Sequence, residues 1–280
     1  MEQGLKRKAM GALGDKIRKT LDEEVYKSVI WKSVFRHGFP DTDRNRTLAV
    51  LSNVFLHLHP AKLKGHAVRM RYTWCMGGLS FFVFLILTIS GVFLMFYYRP
   101  TAEYAFVDVV SLREDVPLGM FMRNMHRWTA HLMVILVWLH MLRVFMTGSY
   151  KAPREFNWGV GVILLTLTLL LSFTGYLLPW DQLAIWAITV GTNMARAHPF
   201  IGHEGPGASL LNPSVLGYDD MPLIHSKDDI RFALLGGSIV GPPALLRFYV
   251  LHCVFLPVVA GFLMAVHFWR IRKDGFSAPL

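Results

Sequence analysis

Four histidines stand in two apolar segments of the chain at nearly equal spacings. His126 and His140 are 14 residues apart, and His252 and His267 are 15 residues apart. On an α-helix of about 3.6 residues per turn, these separations bring the second side chain to within about 40–60° of the first, about 21–23 Å further along the axis. Each pair is therefore predicted to lie along one face of its helix.

Histidines in this arrangement are suited to holding iron. Ionisable side chains inside a membrane are rare and usually functional, and the two segments are expected to cross it in the same direction. His126 then faces His252, and His140 faces His267. Paired neutral imidazoles across a bundle suit two stacked hemes with six-coordinate iron, which carry electrons and leave no position open for oxygen. His131, five residues from His126, points elsewhere and is interpreted as a packed or hydrogen-bonded residue, with ligation as the alternative.

Glycines repeat the same period in two other apolar segments. Gly77 and Gly91 are 14 residues apart, and so are Gly161 and Gly175. A glycine lets a flat group approach the backbone closely. Packing of helices on small residues also uses glycine, but it does not explain a period shared with the histidines.

Three arginines flank the histidines of the second apolar segment: Arg123, Arg127 and Arg143. A guanidinium group pairs well with a carboxylate, so these residues are candidates for neutralising heme propionates. Arg123 and Arg127 also stand where anchors at a membrane boundary are found, and this second interpretation stays open.

The elements that must position these residues are four apolar segments. The chain has 280 residues and is 53% hydrophobic, which is too apolar for an ordinary soluble domain. Runs of about 20 apolar residues cross a bilayer core of about 30 Å, and backbone groups in lipid must be paired internally, which favours helices. The predicted fold class is therefore an all-α membrane protein, a four-transmembrane-helix heme-binding bundle. Its helices are predicted at 74–98, 120–147, 158–179 and 247–270.

Charge predicts how the bundle is oriented. The net charge is +10, with basic residues at the N-terminus, in the link between the second and third segments and in the tail "RIRK". Lys and Arg favour the cytoplasmic side. Both termini and the second link are therefore expected on the cytoplasmic face (the n-side), and the first and third links on the opposite face (the p-side). We expect a multi-pass protein of a bacterial cytoplasmic or thylakoid-type membrane, with no nucleic-acid partner.

The chain is expected to divide near residue 65. Residues 1–65 form a basic, amphipathic extension on the n-side, which either lies on the membrane surface or docks a partner. Residues 66–280 form the bundle. A short surface helix is predicted at 182–195, where a long p-side loop between the third and fourth helices begins; long loops on one face of a bundle are often functional.

Long motifs in residues 66–280 resemble cytochrome b of the quinol-oxidising Rieske/cytochrome b complexes. They include "HRWTAHLMVILVWLHMLRVFMTG", "FTGYLLPWDQLAIWA" and "RFYVLH". Four helices and a 15-residue histidine spacing are similar to cytochrome b6, the short form of the family. The resemblance implies that quinol is oxidised on the p-side. One electron then passes to a Rieske protein, and the other crosses two b hemes to an n-side quinone, with coupled proton translocation.

The resemblance also bears on Cys75, which stands in "CMGG" at the n-side start of the first helix. In cytochrome b6-type chains, a cysteine at this position holds a third heme, of the c type, through a single thioether bond. The alternative is a free thiol that is packed like a small apolar side chain. Arg272, in the C-terminal tail, is assigned by the resemblance to the n-side quinone and heme region.

The resemblance places half of the quinol pocket at the p-side end of the third helix, at Pro179, Trp180, Asp181 and Gln182. Asp181 is as well suited to capping a helix as to accepting a proton. The family's "PEWY" segment does not occur in the sequence. The resemblance therefore implies a separate subunit with the remaining helices, together with a Rieske iron–sulfur protein, a c-type cytochrome, membrane lipid and a dimeric complex.

Two other functions use similar features. A di-heme cytochrome b anchor of a hydrogenase or formate dehydrogenase would have four helices and hemes, but "PWDQ" and "CMGG" argue against it. A heme-free scaffold would need no histidine period, and a visible spectrum would identify it.

Overall fold

The computed structural model describes residues 14–16, 19–20, 24, 28–29, 42–54, 56–58, 65, 69–199, 202–206 and 229–275. The chain separates into two compact units, Met1–Leu63 and Lys64–Leu280. Most of the first 40 residues of the predicted amphipathic extension lie outside the described residues.

The described residues of the N-terminal unit include the α-helix α1 (Asp43–Ser52), which is followed by a 3₁₀ turn at Leu56–Leu58. Thr42 caps α1, because its hydroxyl accepts a hydrogen bond of 3.2 Å from the Asn45 amide.

In the described part of the second unit, every regular element is helical. The α-helices are α2 (Met70–Thr73), α3 (Met76–Met95), α4 (Ala105–Glu114), α5 (Gly119–Met146), α6 (Glu155–Leu177), α7 (Gln182–Arg196), α8 (Ile230–Leu235), α9 (Pro242–Val250) and α10 (Leu256–Asp274). A π-helical turn, Leu251–Phe255, joins α9 to α10.

Among the described residues of this unit, four helices are long and apolar enough to cross a membrane: α3, α5, α6 and the continuous α9–α10 helix, Pro242–Asp274. The predicted all-α fold with four membrane-spanning helices is confirmed. Much of the apolar surface of these helices is exposed, for example Ile89, Trp128 and Phe262. Such surfaces suit lipid or other transmembrane helices.

The spanning helices pack as two pairs, α3 with α5 and α6 with α10. A buried cluster of Val83, Met133 and Val137 joins the first pair. Leu167, Leu256 and Ala260 join the second. Along every helix, these residues fall between the two histidine or glycine positions. An apolar layer therefore separates the two levels of the bundle at which those positions occur.

A third buried cluster closes the end of the bundle where α6 terminates. Leu177, Ile188, Leu235, Ala244 and Phe248 bring together α6, α7, α8 and α9. Helix α7 packs into this cluster through Ile188, which is fully buried. The surface helix expected after the third span is therefore present, and α8 continues the same packing.

The first link contains a helix, α4, that the sequence analysis did not identify. The backbone amide and the guanidinium of Arg99 donate three hydrogen bonds to the Asp108 carboxylate, at 2.6–3.0 Å. The hydroxyl of the neighbouring Tyr98 donates to the Leu178 carbonyl at 2.6 Å. Burial raises the pKa of Tyr98, so this donor stays protonated. The end of α3 is thereby tied to α4 and to the end of α6.

Replacing Asp108 by Asn should destabilise the folded chain. Asp108 is 5% exposed, and a lost hydrogen bond to a charged group costs about 1.5–3 kcal/mol. We expect a lower thermal midpoint in detergent than for the exposed control Glu114→Gln on the same helix.

The destabilisation should also depend on pH. Hydrogen bonds from Arg99 hold the pKa of Asp108 below its usual range. The stabilisation is therefore complete above the unfolded-state pKa of about 3.9 and is lost as the pH falls through the lower folded-state value. The difference in thermal midpoint between wild type and Asp108→Asn should be largest at neutral pH and should become smaller in acid. Equal midpoints for Asp108→Asn and Glu114→Gln at neutral pH would contradict a stabilising role for Asp108.

Candidate functional site

Two pairs of histidines face each other between α5 and α10. The ring centroids of His126 and His252, here called the first pair, are 6.3 Å apart, with an angle of 76° between the ring planes. In the second pair, His140 and His267, the centroids are 6.5 Å apart and the angle is 79°. The structure thus brings together the partners that helix spacing and direction indicate.

A π-helical turn makes the unequal spacings compatible. A π turn accommodates one extra residue within a helix, and the turn Leu251–Phe255 contains His252. Its extra residue offsets the 15-residue spacing to His267, so both histidines of α9–α10 can face α5. Pro257 contributes to the turn, because proline has no amide hydrogen to donate to the carbonyl four residues earlier.

Each histidine ring lies against a glycine of the neighbouring helix. A Cβ atom built on Gly91 would lie 3.3 Å from His126 Cε1, and one on Gly77 would lie 3.2 Å from His140 Cε1. On α6, the same construction on Gly175 and Gly161 gives 2.5 Å to His252 Cε1 and 3.9 Å to His267 Cε1, respectively. The shared glycine period therefore provides space for imidazole rings.

The two histidines of the first pair are each hydrogen-bonded to a hydroxyl group. Ser90 Oγ lies 2.9 Å from His126 Nδ1, and Thr174 Oγ1 lies 3.1 Å from His252 Nδ1. Each hydroxyl donates its own hydrogen to a helix carbonyl, Ser90 to Ile86 at 2.7 Å and Thr174 to Leu170 at 2.8 Å. The hydroxyl oxygens therefore accept from Nδ1–H, which leaves Nε2 of both rings free to bind a metal.

The second pair has different surroundings. Nδ1 of His267 is buried and has no hydrogen-bond partner among the described residues. The Arg143 guanidinium comes within 3.5 Å of His140 Nδ1, and Arg143 Nε is buried without a described hydrogen-bond partner. A buried cation of this kind favours an anionic group beside it.

These residues fit heme. The described residues form no group of three or more His, Cys, Asp or Glu side chains that could hold a metal ion by themselves, so a zinc-type cluster is not favoured there. Two imidazole–metal bonds of about 2.0–2.1 Å, together with the half-widths of the two rings, account for the observed ring separations. Glycine-lined faces and a buried arginine suit a flat macrocycle that carries carboxylates.

Cys75 lies at the break between α2 and α3. It is an exposed free thiol and the N-cap residue of α3, with a left-handed backbone at φ 50°. Its Sγ lies 3.0 Å from Met70 Sδ. Two residues further on, Gly77 contacts His140, so the thiol is at the level of the second pair. An accessible thiol at this position is compatible with thioether attachment.

The residues expected around the quinol pocket lie where α6 gives way to α7. Pro179 follows the end of α6, and Trp180 has φ 53°. Asp181 caps α7, because its carboxylate accepts a hydrogen bond of 2.8 Å from the Ala184 amide, and Gln182 is exposed. The capping role considered for Asp181 is therefore present in the structure.

The remaining predicted residues lie at the two ends of the bundle. Arg123 is half-buried and Arg127 is exposed, both near His126 on α5, and Arg272 is half-buried in the last turn of α10. His131 is exposed on α5 and stacks edge-on against Trp128, with a centroid distance of 5.7 Å. His131 therefore lies outside both pairs.

Sequence reasoning missed Ser90, Thr174 and the π turn. One signal was available for the hydroxyls, since each directly precedes a glycine of the shared period. A second was Pro257 inside the fourth apolar segment, because an internal proline removes a helical hydrogen bond.

Comparison with known proteins gives a consistent result. The profile of a family described as Cytochrome b/b6/petB matches residues 63–205. Cytochrome b6 of Heliomicrobium gestii is 40% identical over 207 residues, which cover 74% of this chain and 85% of that protein. The menaquinol:cytochrome c reductase cytochrome b subunit of Bacillus subtilis (strain 168) is 37% identical over 266 residues, or 95% of this chain and 99% of that protein.

A solved structure is also similar. A chain of a hyperthermophilic respiratory Complex III aligns with a TM-score of 0.61 and 26% identity. The alignment covers 93% of this chain and 56% of that chain, so this chain spans little more than half the length of that structural relative.

Substituting Gly175 by Ala should reduce heme binding by the first pair. The new Cβ would lie 2.5 Å from His252 Cε1, whereas Gly159, on the same helix, has open space beside it. Alanine favours a helix by about 0.5–1 kcal/mol over glycine, so a defect confined to Gly175→Ala would be steric. The steric effect is measured as heme content per purified chain. Equal heme content in Gly175→Ala and Gly159→Ala would contradict the predicted clash with His252.

Proposed function

Because the chain belongs to the cytochrome b/b6 family, we propose that it is the transmembrane electron-transfer subunit of a quinol-oxidising Rieske/cytochrome b complex. The observation that carries the proposal is the presence of two facing histidine pairs, each ring set against a glycine of the adjacent helix. The same family membership implies binding of heme b.

We assign one heme b to each pair. His126 and His252 would be the axial ligands on the p-side, and His140 and His267 those on the n-side. A heme held by two imidazoles supplies one-electron transfer with no open coordination position. The chain's contribution is to hold the two sites about 21 Å apart along the helices and to keep water out of the apolar layer between them.

Arginines near both histidine pairs are proposed to contact the anionic groups of the hemes or the quinone. Arg143 would neutralise a propionate at the n-side site, which is supported by its buried Nε without a described hydrogen-bond partner. Arg123 and Arg127 stand beside His126 and are proposed for the same task at the p-side site. Arg272, at the n-side end of α10, is proposed to contact the quinone or heme there.

The chain would form half of the p-side quinol pocket. Pro179, Trp180, Asp181 and Gln182 are proposed to line it. Asp181 is engaged as the cap of α7, so it is assigned a positioning role. The other half, with the "PEWY" segment, would come from a separate subunit, and the exposed apolar faces of the spanning helices suit such a neighbour.

The proposed complex also contains a Rieske iron–sulfur protein and a c-type cytochrome as electron acceptors. It would be dimeric and embedded in a bacterial cytoplasmic or thylakoid-type membrane, with both termini of this chain on the cytoplasmic side. The relative from Bacillus subtilis is named as a subunit of a menaquinol:cytochrome c reductase, which supports a quinol as the electron donor. The comparisons do not favour the alternative of a hydrogenase or formate dehydrogenase anchor.

A third heme, covalently bound through Cys75, is proposed on the n-side. Support comes from the exposure of the thiol at the start of α3 and from its place two residues before Gly77, which contacts His140. Cys253 lies in the π turn, is half-buried and is assigned a packing role.

Removing an axial ligand should halve the heme b of the purified complex. For His126→Ala, we expect roughly half the wild-type content, because one of the two bis-histidine sites is lost, and quinol:cytochrome c reductase activity near background. His131→Ala, on the same helix, should keep both hemes and the activity. Reduced-minus-oxidised spectra and heme extraction measure the content; full heme in His126→Ala would refute the ligand assignment.

Covalent attachment is tested by heme staining after denaturing electrophoresis. Non-covalent b hemes dissociate under these conditions, whereas a thioether-linked heme remains on the chain. We expect staining of wild type and Cys253→Ser and none of Cys75→Ser. An unstained wild-type chain that has both b hemes before denaturation would show that Cys75 is a packing residue.

A further inference from the structure

The two histidine pairs differ in what surrounds their Nδ1 atoms. In the first pair, Ser90 and Thr174 each accept a hydrogen bond from a ring. Both hydroxyls are buried, with 0% and 3% exposure, respectively. Neither is held by the histidines alone, since each also donates to the carbonyl four residues earlier in its own helix. The acceptor oxygens are therefore fixed in position.

The equivalent positions at the second pair carry no hydroxyl. Ser90 and Thr174 directly precede Gly91 and Gly175, whereas the second-pair glycines, Gly77 and Gly161, are preceded by Met76 and Val160.

The atoms around the second pair reflect this difference. Nδ1 of His267 is buried and has no hydrogen-bond partner among the described residues. His140 has the Arg143 cation beside its Nδ1 instead of an acceptor.

Both differences would widen the gap between the reduction potentials of irons bound at the two pairs. An acceptor on Nδ1–H makes an imidazole a stronger donor to the metal, and this stabilises the oxidised, more positive state. A nearby cation opposes that additional positive charge. Hydrogen bonding to the first pair therefore lowers its reduction potential, and Arg143 raises that of the second.

We propose that Ser90 and Thr174 are positioning residues that lower the reduction potential of the heme held by His126 and His252 below that of the other heme. This inference rests on the proposed di-heme function. With both hemes bound, one electron would pass from the iron held by His126 and His252, which is oxidised, to the iron held by His140 and His267, which is reduced. No bond forms or breaks, and each Nδ1 proton stays on its ring. The hydroxyls thus favour electron flow from the first pair to the second.

The experiment measures midpoint potentials of both b hemes in the purified complex by spectroelectrochemistry. Ser90→Ala and Thr174→Val should each raise the potential of the first-pair heme and leave the second unchanged. Ser90→Thr and Thr174→Ser, which keep a hydroxyl, should retain the wild-type potential.

The chain offers matched controls on the same two helices. Ser80 and Thr168 are both 8% exposed, and each donates 2.8 Å to the carbonyl four residues earlier, but neither is hydrogen-bonded to a histidine. Ser80→Ala and Thr168→Val therefore remove a similar hydroxyl and should shift neither potential.

A gain of function tests the proposal without removing any native hydrogen bond. Val160 stands in the same relation to Gly161 as Thr174 does to Gly175, and threonine has nearly the shape of valine. Val160→Thr should therefore lower the potential of the second heme and narrow the gap between the two.

The outcomes separate this proposal from the proposed function. A wild-type complex without two bis-histidine hemes would refute the di-heme function itself. Two normal hemes whose potentials do not respond to Ser90→Ala, Thr174→Val or Val160→Thr would overturn only the role of the hydroxyls. The role of the hydroxyls would also be overturned if Ser90→Ala and Thr174→Val shifted the potential of the first-pair heme no more than Ser80→Ala and Thr168→Val do.

Discussion

The fold depends on the close approach of imidazole rings at two levels of a membrane-spanning bundle. Ring centroids 6.3 and 6.5 Å apart leave room for one metal ion between the rings of each pair. Each ring lies against a glycine of the adjacent helix. A Cβ on Gly77, Gly91 or Gly175 would crowd its ring, whereas one on Gly161 would make an ordinary contact with His267. This requirement explains why α3 packs on α5 and α6 on α10, with buried apolar clusters filling the layer between the two levels.

The π turn shows how a helix can satisfy this requirement with an irregular spacing. On a regular helix, histidines 15 residues apart diverge by about 60° in one sense, whereas the 14-residue pair on α5 diverges by about 40° in the opposite sense. The extra residue is accommodated at Leu251–Phe255, immediately before Pro257. A π turn at a functional residue is a recurrent device, and here it lets α9–α10 present His252 and His267 to the same neighbour.

Hydrogen bonds link the elements at the end of the bundle near the first pair, whereas the sides of the spanning helices expose apolar side chains. Arg99 and Asp108 hold α4 against the end of α3, Tyr98 bonds the end of α6, and Asp181 caps α7. By contrast, large apolar side chains such as Phe262 remain exposed along the spans. A fixed rim around the proposed quinol pocket and uncovered apolar sides suit a subunit that is completed by other transmembrane chains.

The sequence by itself determined the four spans, the surface helix and which histidines face each other, because apolar length, helical period and direction of crossing are local or additive properties. It also indicated the four glycines through their shared period. Only the tertiary structure decided that Ser90 meets His126 and that Thr174 meets His252, contacts between residues 36 and 78 positions apart, respectively. Hydrogen bonds of this kind form where two helices touch, and their partners depend on the rotation of each helix, which hydrophobic periodicity defines too coarsely. The same holds for the pairing of Asp108 with Arg99, which forms where α4 meets the end of α3, whereas the π turn had a local signal in Pro257.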